Sequence, residues 1–501
     1  MRPMGTITKY YPFIDEESKS ILDSIMEDSS SYNEFVQQLC SIVLENEVPV
    51  NLAYVAAVQA WWCRFGETMN QIQEKYNEVL WIKPWGYYHG SLERDQIQQH
   101  DALVGSIERA LDWSHDEWIE TELHLLHAFF HHPFGDVESV LEPLEKAKVL
   151  IDTHPQLRCF ESLIYAFEGL TKAREGDMKG CLSDLRKGRV LAEAHDDSLY
   201  KYMNMLQEGN ILRVFDVQNA TLVFEDLYDL VQDLDVPYFL GEVLNDYSIL
   251  FEATGEFDLA ISSQYEIMNM QLQQPLSDTL YILLARSYAT LGDGPHALEW
   301  INRGLETCGP LDTPTMYNTK AWALALLNQL DKAEKTLEIA YSLTIKSGLE
   351  IHLGNYYHIS GVVELKKGNL LDALDLFKKA WEFAERRPRV DRDNRLLLDL
   401  ARVEILIDNQ SIDKTKVVVP GKWLSKLETH AMEGDLPGIR MYAALLKSEF
   451  YQNHGQLQDA HAVLVDALGI TDSLGVVTLK KRITSQIQEI QQLQRDKELA
   501  S

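Results

Sequence analysis

Four histidines within nine residues are the side chains whose types and spacing most suggest chemistry: His124, His127, His131 and His132. On a helix, spacings of three and four place the first three on one face, with Glu120 one turn earlier. Three imidazoles and a carboxylate are ligands that zinc accepts. However, Ala128 follows His127 where the HExxH motif of zinc proteases has glutamate. We interpret the cluster as helix-packing or groove-lining residues, without metal or cofactor; a metal or pH-sensitive site at His124, His127 and His131 is the alternative.

An aromatic segment and a basic segment are two further candidates for binding. The aromatic segment reads WIKPWGYYHG, and core packing is favoured over a ligand-stacking wall or partner contact for its rings: Trp81, Trp85, Tyr87, Tyr88 and His89. Residues 378–402 contain eight Lys and Arg against five Asp and Glu. A solvated loop between helices is the favoured interpretation there, and a docking site for an anionic partner is the alternative.

Sequence motifs of the common enzyme classes are missing. There is no GxSxG, no GxGxxG after a strand and no set of kinase motifs. Residues 420–423 read PGKW and lack the upstream glycine and the following Ser or Thr of a phosphate-binding loop. We therefore expect a protein that is not an enzyme.

Length and charge restrict the remaining classes. A chain of 501 residues exceeds one compact core, so several units or an elongated array are expected. The net charge of -31 disfavours binding to nucleic acid or to anionic membranes. No apolar run reaches the roughly 18 to 20 residues of a membrane span, and the amino terminus has no signal-peptide core. Five cysteines without a CxxC motif favour a reducing, cytoplasmic location.

A short turn motif recurs along the chain and predicts how the elements are arranged. Each copy begins with Gly or Asn and ends, five residues later, with a small residue. Gly or Asn suits the left-handed residue that closes a helix, so each copy predicts the turn of a helical hairpin. The final small residues are Cys181, Ala260, Ala297, Ala333, Ala373 and Ala460.

Other positions keep a fixed distance from that small residue. Twelve residues earlier lies a second small residue: Gly169, Ser248, Ala285, Ala321, Gly361 and Ser448. Bulky residues are typical sixteen earlier and four later, and Gly or Ala seven later. Small residues at two levels let paired helices approach closely, while bulky ones fill the gaps.

The spacing of these units predicts a repeat protein. Successive units from Ala260 to Ala373 are 37, 36 and 40 residues apart. Ala220 marks a further unit, and a degenerate hairpin from Asn394 to Met432 fills the gap before Ala460. A period near 40 with two helices per unit is typical of a helical solenoid. We therefore predict an all-α fold, a right-handed superhelical solenoid of stacked antiparallel hairpins.

This pattern resembles the tetratricopeptide repeat, most clearly in residues 281–310, where Ala285, Tyr288, Gly292, Ala297, Ile301 and Gly304 all match. Units nearer 40 than 34 residues resemble the long variant found in sensor arrays of bacterial maltose-regulon-type activators and in peptide-responsive regulators. Departures are Gln264, Lys172 and Glu364. Three segments are predicted: an amino-terminal helical region, 1–115, the repeat array, 116–475, and a capping helix, 476–501.

The resemblance implies binding rather than catalysis. Stacked hairpins offer a concave groove, lined by the first helix of each pair, to a protein or peptide partner. Positions between the packing residues of these helices are the candidate contacts: Asn245, Arg286, Asn318, Lys320, Asn355 and His358. A scaffold or adaptor is the favoured function. The alternative is a regulator whose array binds a small molecule or peptide and relays the signal to a protein partner.

Overall fold

The helices account for nearly all of the chain. The computed structural model describes residues 4–86, 96–134, 137–270, 272, 279–309, 312–347, 350–386, 390–410, 421–471, 474 and 476–500. Within these ranges the backbone forms 26 α-helices and one short 3₁₀ helix, and no β-strand. The all-α class is therefore confirmed.

Seven helices precede the hairpins: α1 Met4–Thr8, α2 Glu16–Asp28, α3 Tyr32–Glu45, α4 Val50–Trp62, α5 Gly66–Lys75, α6 Lys83–Gly86 and α7 Gln96–Trp113. Local chemistry fixes several of their ends. Asp15 caps α2 by accepting a hydrogen bond from the Ser18 amide at 2.8 Å. Pro49, which lacks an amide proton, stands immediately before α4.

The following helices form successive pairs: α8 Glu117–Phe134 and α9 Val137–Thr153; then, after the 3₁₀ helix Pro155–Phe160, α10 Glu161–Arg174 and α11 Met178–Ala194; α12 Ser198–Phe215 and α13 Val217–Leu234; α14 Pro237–Thr254 and α15 Phe257–Asn269; α16 Thr279–Leu291 and α17 Gly294–Thr307; α18 Thr313–Leu326 and α19 Leu330–Ser347; α20 Glu350–Lys367 and α21 Leu370–Arg386; α22 Val390–Asn409 and α23 Lys422–Glu433; α24 Pro437–Asn453 and α25 Leu457–Thr471. We call the two members of each pair its first and second helix. From α16 to α25, each pair packs against the next. This stack of hairpins confirms the predicted fold, and α26 Val477–Ala500 packs on α25.

Left-handed residues close the turns inside the hairpins. All six predicted turn positions have positive φ: Gly176, Gly255, Gly292, Asn328, Gly368 and Gly455. The sequence analysis missed a second set, in which aspartate has positive φ after a second helix: Asp196, Asp235 and Asp435. Aspartate tolerates this conformation better than most residues with a Cβ atom.

The small residues lie where the helices of a pair approach each other. The alanines at 260, 297, 333, 373 and 460 are fully buried. Ser248 Oγ donates a hydrogen bond to the Ala260 carbonyl at 3.2 Å, across the α14–α15 pair. A Cβ on Gly361 would lie 3.2 Å from the Ala373 carbonyl oxygen, and 2.5 Å from the Phe377 ring. The predicted register is therefore confirmed as a packing register.

Two compact units make up the chain. Unit 1 comprises Met1–Leu212, Asn219–Val243 and Met270–Leu276; unit 2 comprises Arg213–Gln218, Leu244–Asn269 and Ser277–Ser501. The predicted boundaries at 115 and 475 mark where the repeat pattern begins and ends, whereas the two units are defined by which residues are in contact. These boundaries therefore stay a prediction. No helix in the described ranges is long and apolar enough to cross a membrane.

Contacts between residues distant in sequence close unit 2 on itself. Asn394 Nδ2, at the start of α22, donates to the Ala253 carbonyl at 2.6 Å. A Cβ on Gly438, at the start of α24, would lie 2.5 Å from the carbonyl carbon of Gly255. Thr478 in α26 donates to Asp258 through its amide at 2.9 Å and its hydroxyl at 2.6 Å. The pair α14–α15 is thus held against α22, α24 and α26.

The aromatic and basic segments are only partly described. Trp85 lies in the core of unit 1, with its ring centroid 5.2 Å from that of Trp61, while Tyr87, Tyr88 and His89 lie outside the described residues. The basic segment is not the expected solvated loop. It covers the end of α21 and much of α22, and Arg395 is buried; Arg387 and Arg389 lie outside the described residues.

Candidate partner-binding surface and buried polar centres

The first helices of unit 2 are more enclosed than the second helices. From Leu280 to Leu291 in α16, and throughout α18, every residue is buried or half-buried. By contrast, α17 exposes one side to water: Pro295, His296, Glu299, Asn302, Arg303 and Glu306. Polar side chains on the first helices are therefore surrounded by other protein groups on most sides.

Three of the six predicted contact residues are half-buried: Asn245, Lys320 and Asn355. Asn245 Oδ1 accepts a hydrogen bond from Gln264 Nε2 at 3.5 Å. Lys320 has no ion-pair partner in the described part of the chain. These side chains have the partial exposure that a concave surface would give, and their binding role stays a prediction.

Asn318 and His358 are buried instead, at 1% and 4% exposure. His358 Nε2 lies 2.9 Å from Asp399 Oδ2 on α22. The rings of His358 and Trp322 are 6.4 Å apart, and Thr315 Oγ1 lies 3.3 Å from His352 Nδ1. These two contacts between α18 and α20 fix a register that brings Asn318 level with Asn355.

Several buried polar atoms on these two helices lack a partner. Within the described residues, no hydrogen bond is made by four of them: Asn318 Oδ1 and Nδ2, His352 Nε2 and Ser360 Oγ. A buried polar group without a hydrogen bond typically costs about 1–3 kcal/mol. The facing parts of α18 and α20 therefore hold unused hydrogen-bonding capacity.

The sixth predicted residue, Arg286, belongs to an internal centre that the sequence did not reveal. Glu252 on α14 is fully buried, and Arg286 donates to both of its carboxylate oxygens. Arg395 Nη1 donates to Oε2 at 3.2 Å, and Ser287 Oγ to Oε1 at 2.9 Å. We call these four residues the Glu252 centre. It links α14, α16 and α22, so Arg286 has a structural role in addition to any contact with a partner.

Unit 1 contains a buried carboxyl of a different kind. Glu122 on α8 is 3% exposed; Tyr10 donates to its Oε1 at 2.9 Å, and Oε2 has no hydrogen bond of normal geometry in the described residues. Burial raises the pKa of Glu122 to about 7, although Lys9 and the hydroxyls of Tyr54 and Tyr10 lower it. Lys9 itself pairs with buried Asp197 at 2.8 Å. We call Glu122 and Tyr10 the Glu122 centre.

The predicted histidines lie on α8 and face α9. His124, His127 and His131 are half-buried, and the side chain of His132 lies outside the described part of the chain. His127 Nε2 and His131 Nε2 are 3.0 Å apart. Burial, together with the positive charge of Lys146, lowers the pKa values of His124 and His127 to about 4. Among the described residues, no group of three or more His, Cys, Asp or Glu is placed to hold a metal ion.

Each unit also has a cleft. In unit 2, a cleft of about 530 Å³ is lined by Asp258, Tyr288, Leu291, Asp293 and Thr478, among others. In unit 1, an open groove of about 730 Å³ runs along α10 and α11. Its basic side chains are Lys179, Arg186 and Lys187, of which Arg186 pairs with Glu208 at 2.6 Å and Lys187 with Asp184 at 3.3 Å. The acidic cleft in unit 2 therefore has the better-defined polar lining.

Comparisons with known proteins give no family. No family model and no curated protein matches the chain. Among solved structures, the chain is similar to a Rap protein complexed with competence and sporulation factor, with 11% identity, a TM-score of 0.43, and coverage of 75% of this chain and 99% of that one. It is also similar to a human IFIT1 dimer with m7Gppp-AAAA, at 16% identity, a TM-score of 0.43, and coverage of 82% and 89%. The apo quorum sensor NprR from B. thuringiensis has 14% identity, a TM-score of 0.37, and coverage of 84% and 99%. Similarity this low does not indicate function, and the fold rests on the helices themselves.

Proposed function

We propose that this protein is a non-enzymatic, cytoplasmic scaffold or adaptor that binds a protein or peptide partner along its first helices. The observation that carries the proposal is the set of half-buried polar side chains on the enclosed first helices, Asn245, Lys320 and Asn355. They present hydrogen-bonding groups that water reaches in the free protein, on helices that are otherwise largely buried. A bound main chain offers donors and acceptors at regular intervals and would pair with such groups.

The test compares a first-helix variant with a matched second-helix variant. In Lys320→Glu/Asn355→Asp, the half-buried surface changes charge; in Lys335→Glu, an exposed lysine of α19 changes charge instead. Affinity purification from the source cells, followed by mass spectrometry, identifies the proteins retained by each. We expect a partner that the wild type and Lys335→Glu retain and that the first-helix variant loses. Identical sets of proteins from all three would argue against binding on the first helices.

The alternative function is a sensor of a small molecule or peptide, as the resemblance to the long-repeat arrays of maltose-regulon-type activators implies. The cleft of about 530 Å³ in unit 2 favours it, since this volume is within the usual range of about 300–1,000 Å³ for ligand sites. Its aspartates, Asp258 and Asp293, would suit a cationic ligand. The amino-terminal region, 1–115, is then the candidate output surface.

The sensor is tested in the full chain, because Lys9 and Tyr10 are part of the core of unit 1 and truncation would expose that core. A thermal-shift screen of cationic metabolites and peptides is run on the wild type and on Leu291→Trp, which fills the cleft. A sensor is supported by a ligand that raises the melting temperature of the wild type alone. A ligand that stabilises both proteins equally does not use this cleft.

A further inference from the structure

The histidine pair on α8 has a geometry that its sequence spacing alone does not give. A four-residue spacing places two side chains on one helix face but leaves their rotamers free. Here both rotamers direct Nε2 to the same point, with the two nitrogens 3.0 Å apart and the ring centroids 4.7 Å apart. His127 and His131 are the only two histidines in the sequence separated by four residues.

That distance matches two ligands of one metal ion. Nitrogens bound at about 2.05 Å and at about 90° to each other lie about 2.9 Å apart, and a tetrahedral angle gives about 3.3 Å. We propose that His127 and His131 form a two-imidazole chelate for a divalent transition-metal ion of the nickel, copper and zinc group. When the ion binds, the proton between the two Nε2 atoms moves to Nδ1 of its own ring. Each neutral imidazole then carries its one proton on Nδ1 and offers the lone pair of Nε2 to the ion.

The site is accessible to a cation from the solvent. The rings are half-buried, so a metal ion can reach them and still keep water on its remaining coordination positions. On α9, Lys146 pairs with Glu142 at 2.8 Å, so the positive and negative charges that this helix brings near the histidines offset each other in part. The net charge of -31 attracts cations to the whole chain.

The site has two protein ligands rather than three. His124 lies on the same face, but its Nδ1 is buried without a hydrogen-bond partner in the described residues, and it belongs to no three-ligand group. The order of affinity should therefore follow the intrinsic preference of imidazole, with copper above nickel and nickel above zinc or cobalt. Affinity for magnesium and calcium, which prefer oxygen ligands, should be negligible.

Titration of nickel chloride into the full-length, untagged chain tests the proposal by calorimetry at pH 7.5. We expect saturation at about one equivalent and, for His127→Ala or His131→Ala, a fall in affinity of at least about tenfold, because the second ligand binds at high effective concentration. His124→Ala is the matched control and should bind as the wild type does. Absence of saturable binding, or equal binding by all variants, would overturn the proposal.

A second measurement on the wild type does not depend on how the variants fold. Diethyl pyrocarbonate modifies accessible imidazole nitrogens, and mass spectrometry locates the modified histidines. Nickel should protect His127 and His131 from modification and leave exposed His296 reactive. Equal modification of all three with and without nickel would contradict the chelate, whereas protection confined to His127 and His131 supports it.

Discussion

One buried glutamate from each unit, Glu252 in unit 2 and Glu122 in unit 1, shows a different way of compensating a buried carboxyl. Glu252 in unit 2 accepts hydrogen bonds from two guanidinium groups, those of Arg286 and Arg395. Glu122 in unit 1 receives a hydrogen bond from the Tyr10 hydroxyl, and its pKa is raised to about 7. The first carboxyl is compensated by cations and the second, in part, by its own proton.

The Glu252 centre and the Glu122 centre therefore contribute differently to the stability of the fold. Glu252 joins three helices, and removal of its carboxylate takes a charged acceptor from two guanidinium groups. Glu122 makes few polar contacts, so burial of its charged form is unfavourable and its protonation becomes linked to folding. Matched substitutions at the Glu252 centre and the Glu122 centre should therefore differ in how much they change stability.

Removal of the Glu252 carboxylate has the largest expected effect on stability. Glu252→Gln removes a charged acceptor from Arg286 and from Arg395, which is 6% exposed, and should lower the free energy of unfolding by about 3–5 kcal/mol. Glu122→Gln removes no partner of a guanidinium and should change stability by less than about 1 kcal/mol at pH 7. Urea denaturation with hydrogen exchange of each unit measures both. Equal losses in the two variants would mean that the centres do not differ.

The pH dependence of the stability of unit 1 is the second largest expected effect. Because folding raises the pKa of Glu122 from 4.5 to about 7, the folded state binds the proton more tightly. Its stabilising contribution is present below pH 4.5 and is lost as the pH rises through 7, a change of about 3 kcal/mol. Hydrogen exchange of α8 at pH 5 and pH 8 measures this loss in the wild type. Glu122→Gln should abolish the difference; a variant that keeps it would assign the effect to other groups.

Removal of a single hydroxyl gives the most closely matched pair of variants. Tyr10→Phe and Ser287→Ala each delete a neutral donor that lies 2.9 Å from a carboxylate oxygen. Tyr10→Phe should cost about 2 kcal/mol and raise the pKa of Glu122 further, since the Tyr10 hydroxyl lowers it. Ser287→Ala should cost about 1 kcal/mol, because two guanidinium groups remain on Glu252. A larger loss for Ser287→Ala than for Tyr10→Phe would reverse the comparison.

Much of the fold could be predicted because its signals are local. A glycine or asparagine with positive φ, such as Gly292 or Asn328, is followed within a few residues by the next helix. A small residue such as Ala373 marks the close approach of two helices, and both signals recur at a nearly constant interval. The aspartates at inter-hairpin turns were missed, although Asp235 and Asp435 each precede an apolar residue and proline, a signal for a helix end.

The polar centres could not be predicted because they depend on contacts distant in sequence. Glu252 and Arg395 are 143 residues apart, and no repeat register relates them. Arg286 has the spacing of a groove residue, yet it pairs with Glu252 on α14, the first helix of the preceding hairpin. On α8, the sequence places His127 and His131 on one face but leaves their rotamers open, and in the structure these bring the two Nε2 atoms to 3.0 Å.

The backbone contact between Gly255 and Gly438 has a consequence for the evolution of this chain. An open solenoid gains or loses a repeat at little cost, because each repeat touches only its neighbours. In unit 2, the start of α24 must return to the turn between α14 and α15 with no room for a Cβ atom on either glycine. Duplication or deletion of one hairpin between them would shift every element that follows and separate the two glycines. The number of hairpins between Gly255 and Gly438 is therefore fixed by geometry, and homologues should vary in loop length rather than in repeat number.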